Sequence, residues 1–218
     1  MTYKAAIFDL DGTLLDSLLD LCLSTNYALR QMGFAERTLD EVRRFVGNGV
    51  GKLIARAVPE GVPEEDVVRT LTIFKEHYVV HCQDNTAPYE GILPMLESLK
   101  AAHIPTAIVS NKLQQGVDEL FQTHFRGLVD VAIGERPALR RKPAPDMVDL
   151  AVETLGVDKR ECLYIGDSEV DVRTASGAGL DCVAVLWGFR DRDILSDAGA
   201  KSFVARPAEL LNFFKPSL

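Results

Sequence analysis

The sequence predicts an α/β fold, a doubly wound parallel sheet with a helical domain inserted after its first strand. Three observations support this prediction. A short apolar run at residues 5–8 is typical of a buried strand, and the block at residues 18–84 shows almost no strand pattern. From residue 85 onward, short apolar runs alternate with helical patterns. We therefore expect a core of residues 1–15 and 85–218 and an inserted domain of residues 16–84.

Composition and charge describe an ordinary globular protein. The chain has 218 residues, of which 47% are hydrophobic and 26% charged, and its formal net charge is −8. The negative charge argues against general binding to nucleic acid or to anionic membranes. It still permits a small anionic substrate, because local donors can hold such a ligand whatever the sign of the whole surface.

Cysteine spacing and the hydrophobic profile predict a cytoplasmic protein. No apolar run approaches the ~20 residues needed to span a bilayer, and the chain starts with a strand pattern rather than a secretory signal. The cysteines are far apart in sequence, which favours buried free thiols in a reducing compartment over disulfides or zinc. They are Cys22, Cys82, Cys162 and Cys182.

The inserted block carries apolar residues at helical spacing. Helices are predicted at residues 18–32, with Ser17 as a plausible N-cap, and at 38–45, where Thr38 and Glu41 have the spacing of a capping box. A third helix is predicted at residues 64–82. Its His77 and His81 could place two ligands together on one helix face, but no H-E-x-x-H motif or third ligand accompanies them, so packing is the favoured interpretation.

A glycine-rich loop, Val46 to Lys52, opens a further helix in this block. Its spacing does not match that of a phosphate-binding P-loop, and no strand precedes it. The exposed amides of a helix start can still receive an anion, and a plain turn without a ligand is the alternative.

After residue 91, helices and strands alternate. Strands are predicted at residues 106–110, 129–133, 162–165, 182–186 and 203–204, and helices at 92–102, 114–121, 146–155 and 170–178. This order implies right-handed crossovers and a parallel sheet covered on both faces. Ligands of such sheets bind at the carboxyl ends of the strands.

Polar residues follow these predicted strands. Asp9 and Asp11 come after the first, Ser110 after the second, and Asp167 after the strand at residues 162–165. Lys142 lies between the last two, in a proline-rich segment. Neighbouring carboxylates repel each other unless a cation or a shared proton compensates, so the set indicates a metal site or two acids of different proton affinity. For Asp9 and Asp11 alone, a solvated turn is the alternative.

The four motifs in this order resemble those of the haloacid dehalogenase superfamily. The resemblance lies in its phosphatase branch, with a Rossmann-like core and a helical cap domain, and is closest to the phosphoglycolate phosphatases. The matching residues are Asp9-Leu10-Asp11-Gly12-Thr13, Ser110 with Asn111, Lys142 in Lys142-Pro143-Ala144-Pro145, and Gly166-Asp167-Ser168 with Asp171.

The resemblance implies a hydrolase with an aspartyl-phosphate intermediate. Asp9 would be the nucleophile, and Asp11 would protonate the leaving group and then deprotonate the attacking water. Mg²⁺ would be held by a carboxylate oxygen of Asp9, the backbone carbonyl of Asp11 and the side chain of Asp167.

The other motif residues would bind phosphate or support the site. The resemblance assigns the phosphoryl oxygens to Ser110, Asn111 and Lys142, with Lys112 as a weaker rival of Lys142. Ser168, Thr13 and Asp171 would support the site. We expect Thr13 to support Asp11 or its loop, and Asp171 to orient a metal-bound water or Lys142. Glu169 is expected to face solvent or to support the site.

The expected substrate is a small phosphorylated metabolite such as 2-phosphoglycolate. Specificity would be set in the inserted domain, where the loop residues Asn48 and Gly49 and the side chains of Arg43 and Lys52 could meet a carboxylate. A phosphosugar mutase, a pyrophosphatase or a nucleotide phosphatase of the same superfamily remain alternatives, and so does a non-catalytic binding module. We expect a monomer or a homodimer that binds neither nucleic acid nor membranes.

Overall fold

The computed structural model describes residues 2–47 and 49–214. The chain divides into two compact units, Met1–Leu15 with Pro88–Leu218, and Asp16–Ala87. We call them the sheet unit and the helical unit. Among the described residues, no helix combines the length and the apolar composition that crossing a membrane requires.

The sheet unit is built on six strands. The strands of the chain are β1 Ala5–Phe8, β2 Leu15–Asp16, β3 Ala87–Pro88, β4 Thr106–Leu113, β5 Val131–Glu135, β6 Cys162–Gly166, β7 Asp181–Val185 and β8 Ser202–Val204. The main sheet has the order β5-β4-β1-β6-β7-β8, and its neighbouring strands are parallel. The two-residue strands β2 and β3 pair with each other. The predicted α/β class and parallel sheet are confirmed.

Helices occur in both units. They are α1 Leu18–Gln31, α2 Leu39–Phe45, α3 Val50–Ala57, α4 Glu64–His81, α5 Ile92–Ala101, α6 Gln114–Leu120, α7 Asp146–Leu155, α8 Glu169–Ala178 and α9 Arg192–Asp197. The sequence patterns predicted all of these except α9, which has six residues and too little periodicity to detect. A π-helical turn at Phe121–Phe125 and 3₁₀ helices at Lys159–Glu161 and Pro207–Phe213 were also missed.

Two apolar clusters cover the two faces of the sheet. Phe8 packs on one face with residues of α5 and α6, while Ile7 packs on the other with residues of α7 and α8. Successive side chains of β1 alternate between the faces, so a strand covered on both sides must be apolar throughout. At the carboxyl end of β1, Phe8 lies opposite Ile108 and Ile165, which places Asp9 at the middle of the sheet edge.

The helical unit has its own apolar cluster, in which Leu29, Ile54 and Phe74 are fully buried. Its capping box is confirmed, since Thr38 accepts from the Glu41 amide and Glu41 accepts from the Thr38 amide. Ser17 is the N-cap residue of α1, as predicted, but its side chain makes no capping hydrogen bond. The cysteines are free thiols, of which Cys22, Cys82 and Cys162 are buried and Cys182 is half-buried.

Asp20 of α1 binds the chain at the end of the helical unit. Its buried carboxylate accepts hydrogen bonds from the backbone amides of Asn85 and Thr86, the Asn85 side-chain amide and the Thr86 hydroxyl, at 2.7–3.1 Å. Burial alone would raise the pKa of Asp20, but these hydrogen bonds outweigh burial and lower it. They join α1 to the segment of the chain with which the helical unit ends.

Replacing Asp20 by alanine is therefore expected to destabilise the protein. The two backbone amides, the Asn85 side-chain amide and the Thr86 hydroxyl would lose their acceptor, at a cost of about 1–3 kcal/mol in the free energy of unfolding. Urea denaturation measures this change. Glu76→Ala, on the exposed face of α4, is the control and should change the free energy by less than about 0.5 kcal/mol. Equal stability of the two variants would show that the Asp20 hydrogen bonds contribute nothing.

Candidate active site

Three buried carboxylates meet at the carboxyl edge of the sheet. Asp9 follows β1, Asp167 follows β6, and Asp171 lies in the first turn of α8. One oxygen of each lies within 4.8 Å of the others. Their exposed fractions are 8%, 1% and 0%. We call these three residues the acid cluster.

The Lys142 ammonium lies inside this cluster. Its Nζ donates to Asp9 Oδ1 at 2.6 Å, to Asp171 Oδ1 at 2.8 Å and to the Tyr164 hydroxyl at 3.2 Å. The Tyr164 hydroxyl in turn donates to Asp171 Oδ1 at 3.0 Å. The Lys142 side chain is 3% exposed, so its ammonium has lost its hydration. These three partners supply the hydrogen bonds that water would otherwise make.

Asn111 holds the backbone of Lys142. Its Oδ1 accepts from the Lys142 amide at 2.8 Å, and its Nδ2 donates to the Lys142 carbonyl at 3.1 Å. The peptide bond between Lys142 and Pro143 is cis. The Asn111 side chain thus fixes the segment that carries the buried ammonium, which leaves the predicted contact of the Asn111 amide with phosphate a prediction.

Both oxygens of Asp171 are occupied by protein donors. Oδ1 accepts from Lys142 and Tyr164, and Oδ2 accepts from the Ser168 amide at 3.1 Å and the Ser168 hydroxyl at 2.5 Å. The bond from the Ser168 amide, together with the bond from the Asp171 amide to Ser168 Oγ at 3.4 Å, forms the capping box of α8. Asp171 is therefore a supporting carboxylate with little capacity for a further ligand, whereas Asp9 and Asp167 have fewer protein donors.

Asp167 is held by residues from two other loops. Its Oδ2 accepts from the Phe189 amide at 2.7 Å, and its Oδ1 accepts from the Thr13 hydroxyl at 3.3 Å. The sequence had placed Thr13 beside Asp11 or its loop, but its hydroxyl contacts Asp167. A Cβ on Gly12 would lie 2.4 Å from Asp167 Oδ2, and one on Gly188 would lie 2.3 Å from Asp167 Cβ. Glycine at both positions is what lets the loops approach this carboxylate.

Burial and mutual repulsion raise the proton affinity of the acid cluster. Burial, and then the Asp171 charge, raise the pKa of Asp9 well above its usual value, although Lys142 opposes them. The same two causes raise the pKa of Asp167 to about 7. Burial would lower the pKa of Lys142, but the carboxylates of Asp171 and Asp9 outweigh it and raise that pKa above its usual value.

The charge balance of the acid cluster fits a divalent cation. Three buried carboxylates face one ammonium, which leaves an uncompensated negative charge in a region shielded from water. Protons or a cation must supply the balance, and clustered carboxylate oxygens suit hard divalent ions. Asp9 and Asp167 would hold such an ion, because the Asp171 oxygens already accept from protein donors.

The remaining predicted residues of the sheet unit surround the acid cluster. Ser110 is buried and its Oγ accepts from the Lys112 amide at 3.1 Å. The Lys112 ammonium lies 3.6 Å from Asp11 Oδ1, so it pairs with Asp11. Asp11 is half-buried. Glu169 accepts from Arg190 Nε at 2.9 Å, which makes it half of an ion pair and not a free surface acid.

The predicted specificity residues lie in the helical unit. Gly49 is the N-cap of α3 with a positive φ of 82°, and Lys52 is exposed in the first turn of that helix. Arg43 Nε lies 3.6 Å from Asp40 Oδ1. Asn48 lies outside the described residues.

The sequence patterns missed several residues of the site. Tyr164 was assigned only to a buried strand, yet its hydroxyl bridges Lys142 and Asp171. Gly188 and the Phe189 amide come from the loop after β7, where no acid or hydroxyl marked a site. Only the position of this loop could have indicated these two residues, because the loop follows the carboxyl end of a parallel strand, where ligands of such sheets bind.

A family model described as haloacid dehalogenase-like hydrolase matches residues 6–185. The chain belongs to this family, and it is an enzyme of the phosphatase type. It is 32% identical over 187 residues to phosphoglycolate phosphatase from Aquifex aeolicus, covering 85% of this chain and 86% of that protein. It is also 32% identical over 211 residues to phosphoglycolate phosphatase from Colwellia psychrerythraea, with 90% of each chain covered.

A solved structure supports the same relationship. A protein from Lactobacillus delbrueckii, provisionally named phosphoglycolate phosphatase, is 38% identical and superimposes with a TM-score of 0.94. The alignment covers 98% of this chain and 99% of that one. The fold, the family and the predicted resemblance to phosphoglycolate phosphatases therefore agree.

The raised pKa of Asp167 predicts how stability changes with pH when no divalent cation is bound. Between its ordinary pKa of 3.8 and about 7, the folded protein keeps a proton that the unfolded chain releases. The contribution of Asp167 to stability therefore falls as the pH rises through this range. In chelator, the Tm should be lower at about pH 7.5 than at about pH 5.5, and Mg²⁺ should raise it more at the higher pH.

Asp167→Asn is the control for this prediction. The variant has no carboxylate to repel its neighbours, so its Tm in chelator should depend less on pH, and Mg²⁺ should stabilise it less. Differential scanning calorimetry measures both effects. A wild-type Tm that rises with pH in chelator, or equal Mg²⁺ stabilisation of the two proteins, would contradict the charge balance described above.

Proposed function

We propose that this protein is a Mg²⁺-dependent phosphomonoester hydrolase that acts through an aspartyl-phosphate on Asp9. The observation that carries the proposal is the Lys142 ammonium, which Asp9 and Asp171 share within a buried acid cluster. Such an arrangement keeps a nucleophilic carboxylate, a fixed positive charge and a place for a cation together at one strand end. Phosphoryl transfer requires these elements.

In the proposed reaction, a carboxylate oxygen of Asp9 attacks phosphorus and the bond from phosphorus to the leaving oxygen breaks. Asp11 gives its proton to the departing alkoxide, and then accepts a proton from the water that attacks the aspartyl-phosphate. That second step releases inorganic phosphate and restores Asp9. Asp11 suits this role because it is half-buried and lies outside the acid cluster, where a substrate oxygen and water can reach it.

The remaining residues hold the charge of the phosphoryl group. The Lys142 ammonium is already desolvated and oriented, so it can stabilise negative charge without reorganising. The Ser110 hydroxyl, at the carboxyl side of β4, would donate to a phosphoryl oxygen. Mg²⁺, held by Asp9, Asp167 and the Asp11 carbonyl, would neutralise the excess negative charge and polarise the phosphoryl group. Asp171 and Tyr164 would keep Lys142 in place.

Asp9→Asn is expected to abolish turnover, because an amide cannot form the phosphoryl-enzyme. Asp11→Asn should lower kcat by about 10²- to 10⁴-fold through the loss of acid–base catalysis. Phosphate release with a generic aryl phosphate measures both. Asp149→Asn, an exposed acid paired with Lys159, is the control and should keep full activity. Retained turnover in Asp9→Asn would remove Asp9 as the nucleophile.

We propose 2-phosphoglycolate, or a similarly small phosphorylated acid, as the substrate. The names of the relatives support this choice. The helical unit would be the cap that recognises the leaving group, since the catalytic groups of the sheet unit would contact only the phosphate. The positively charged Arg43 and Lys52 and the α3 start at Gly49, together with Asn48, would select the carboxylate.

A substrate panel tests the proposed function. Phosphate release is measured with 2-phosphoglycolate, hexose phosphates, nucleoside monophosphates and pyrophosphate, first with Mg²⁺ and then with chelator. We expect the highest kcat/KM for 2-phosphoglycolate and no activity in chelator. Activity that is highest on another phosphate would overturn the substrate, and metal-independent activity would overturn the mechanism. No turnover of any phosphate would favour a binding module.

A further inference from the structure

His77 and His81 line a cavity within the helical unit. The cavity has a volume of about 250 Å³ and is lined by Asp20, Leu23, Arg30, His77, His81 and Asp84. The two histidines lie one turn apart near the end of α4, and nothing in the proposed phosphatase mechanism uses them. Their rings stack with centroids 4.2 Å apart, and Tyr27 stacks on the other side of His77 at 4.1 Å.

The same nitrogen of each ring is engaged by an oxygen of the protein. His81 Nδ1 lies 2.7 Å from Asp84 Oδ2, and His77 Nδ1 lies 3.0 Å from the hydroxyl of the buried Ser24. An ionised carboxylate can only accept, so His81 Nδ1 carries a proton and the lone pair of its neutral ring lies on Nε2. Metal-binding histidines usually have an oxygen partner of this kind on the nitrogen that does not bind the metal.

The charges around the cavity favour a cation over an anion. Asp20 and Asp84 are acidic, and Arg30 is paired with Glu36 at 3.0 Å. Two protonated imidazoles in contact would repel each other, and burial followed by the His81 charge lowers the pKa of His77. When the two rings carry no extra proton, their lone pairs and the carboxylates of Asp20 and Asp84 attract a positive ion.

The available donors select the kind of cation. The Asp20 oxygens already accept from Asn85 and Thr86, which leaves few oxygen ligands for Mg²⁺ or Ca²⁺. Imidazole nitrogens suit zinc, nickel and copper. We propose that His77 and His81, supported by Ser24 and Asp84, bind one transition-metal dication of this type at a site separate from the acid cluster.

Binding requires a small rearrangement of the two rings. Both Nε2 atoms must lie about 2.0–2.1 Å from one ion, so the stacked rings must rotate until these atoms converge. Residues four apart share a helix face, which makes this possible through side-chain rotation alone. Water would complete the coordination from the cavity.

The first test is nuclear magnetic resonance of untagged protein in excess Mg²⁺. The chain has four histidines, His77, His81, His103 and His124, whose ring signals single variants can assign. Substoichiometric Ni²⁺ should broaden the signals of His77 and His81 before those of His103 and His124. Equal broadening of all four, or none, would overturn the site.

The second test measures affinity by calorimetry with Zn²⁺, again in excess Mg²⁺. The double variant His77→Gln/His81→Gln should bind one Zn²⁺ fewer than the wild type, and Asp84→Asn should bind about 10- to 100-fold more weakly. His103→Gln, an exposed histidine of the sheet unit, should behave as the wild type. Circular dichroism and Mg²⁺-dependent phosphate release verify folding. Unchanged Zn²⁺ binding in the double variant or in Asp84→Asn would overturn the proposal.

Discussion

The buried contact of Lys142 with Asp9 and Asp171 is the interaction on which the rest of the site depends. An ammonium with 3% exposure has lost its water, so it is stable only where carboxylates surround it. Those carboxylates come from the end of β1 and the first turn of α8, and the lysine comes from the segment before α7. Three parts of the sheet unit must therefore meet at one point, and the parallel strand order places them there.

The same contact distinguishes the three carboxylates of the acid cluster. Asp171 accepts from Lys142, Tyr164 and Ser168, so the protein itself satisfies it. Asp9 receives one bond from Lys142, and Asp167 receives two from Phe189 and Thr13. The fold therefore leaves negative charge on Asp9 and Asp167, at the end of the central strand and its neighbour. A divalent cation is the partner that would compensate it.

Much of this arrangement could be predicted from the sequence. In a parallel sheet, residues that follow strands share one edge, so the motif order brought Asp9, Ser110 and Asp167 to one place without further information. The capping box at Thr38 was equally predictable, because it depends on residues three apart. In each case a local pattern and a general rule of topology were sufficient.

The sequence did not indicate contacts between residues that are far apart in the chain and belong to no recognisable motif. Tyr164 looked like any buried strand residue, and the bond between Thr13 and Asp167 joins residues 154 apart. The bonds of Asp20 to Asn85 and Thr86 likewise join residues 65 and 66 apart, and no pattern in the sequence indicated them. The short helix α9 was not predicted for a different reason, because six residues show too little hydrophobic periodicity to identify a helix.

In the proposed mechanism, Asp9 carries the phosphoryl group during turnover. Rapid acid quench during the first turnover with 2-phosphoglycolate and Mg²⁺, followed by peptide mass spectrometry, detects this group. We expect one phosphoryl group on the peptide that contains Asp9, and none when chelator replaces Mg²⁺. A phosphoryl group on a different peptide, or steady turnover in which the Asp9 peptide is never modified, would exclude Asp9 as the nucleophile.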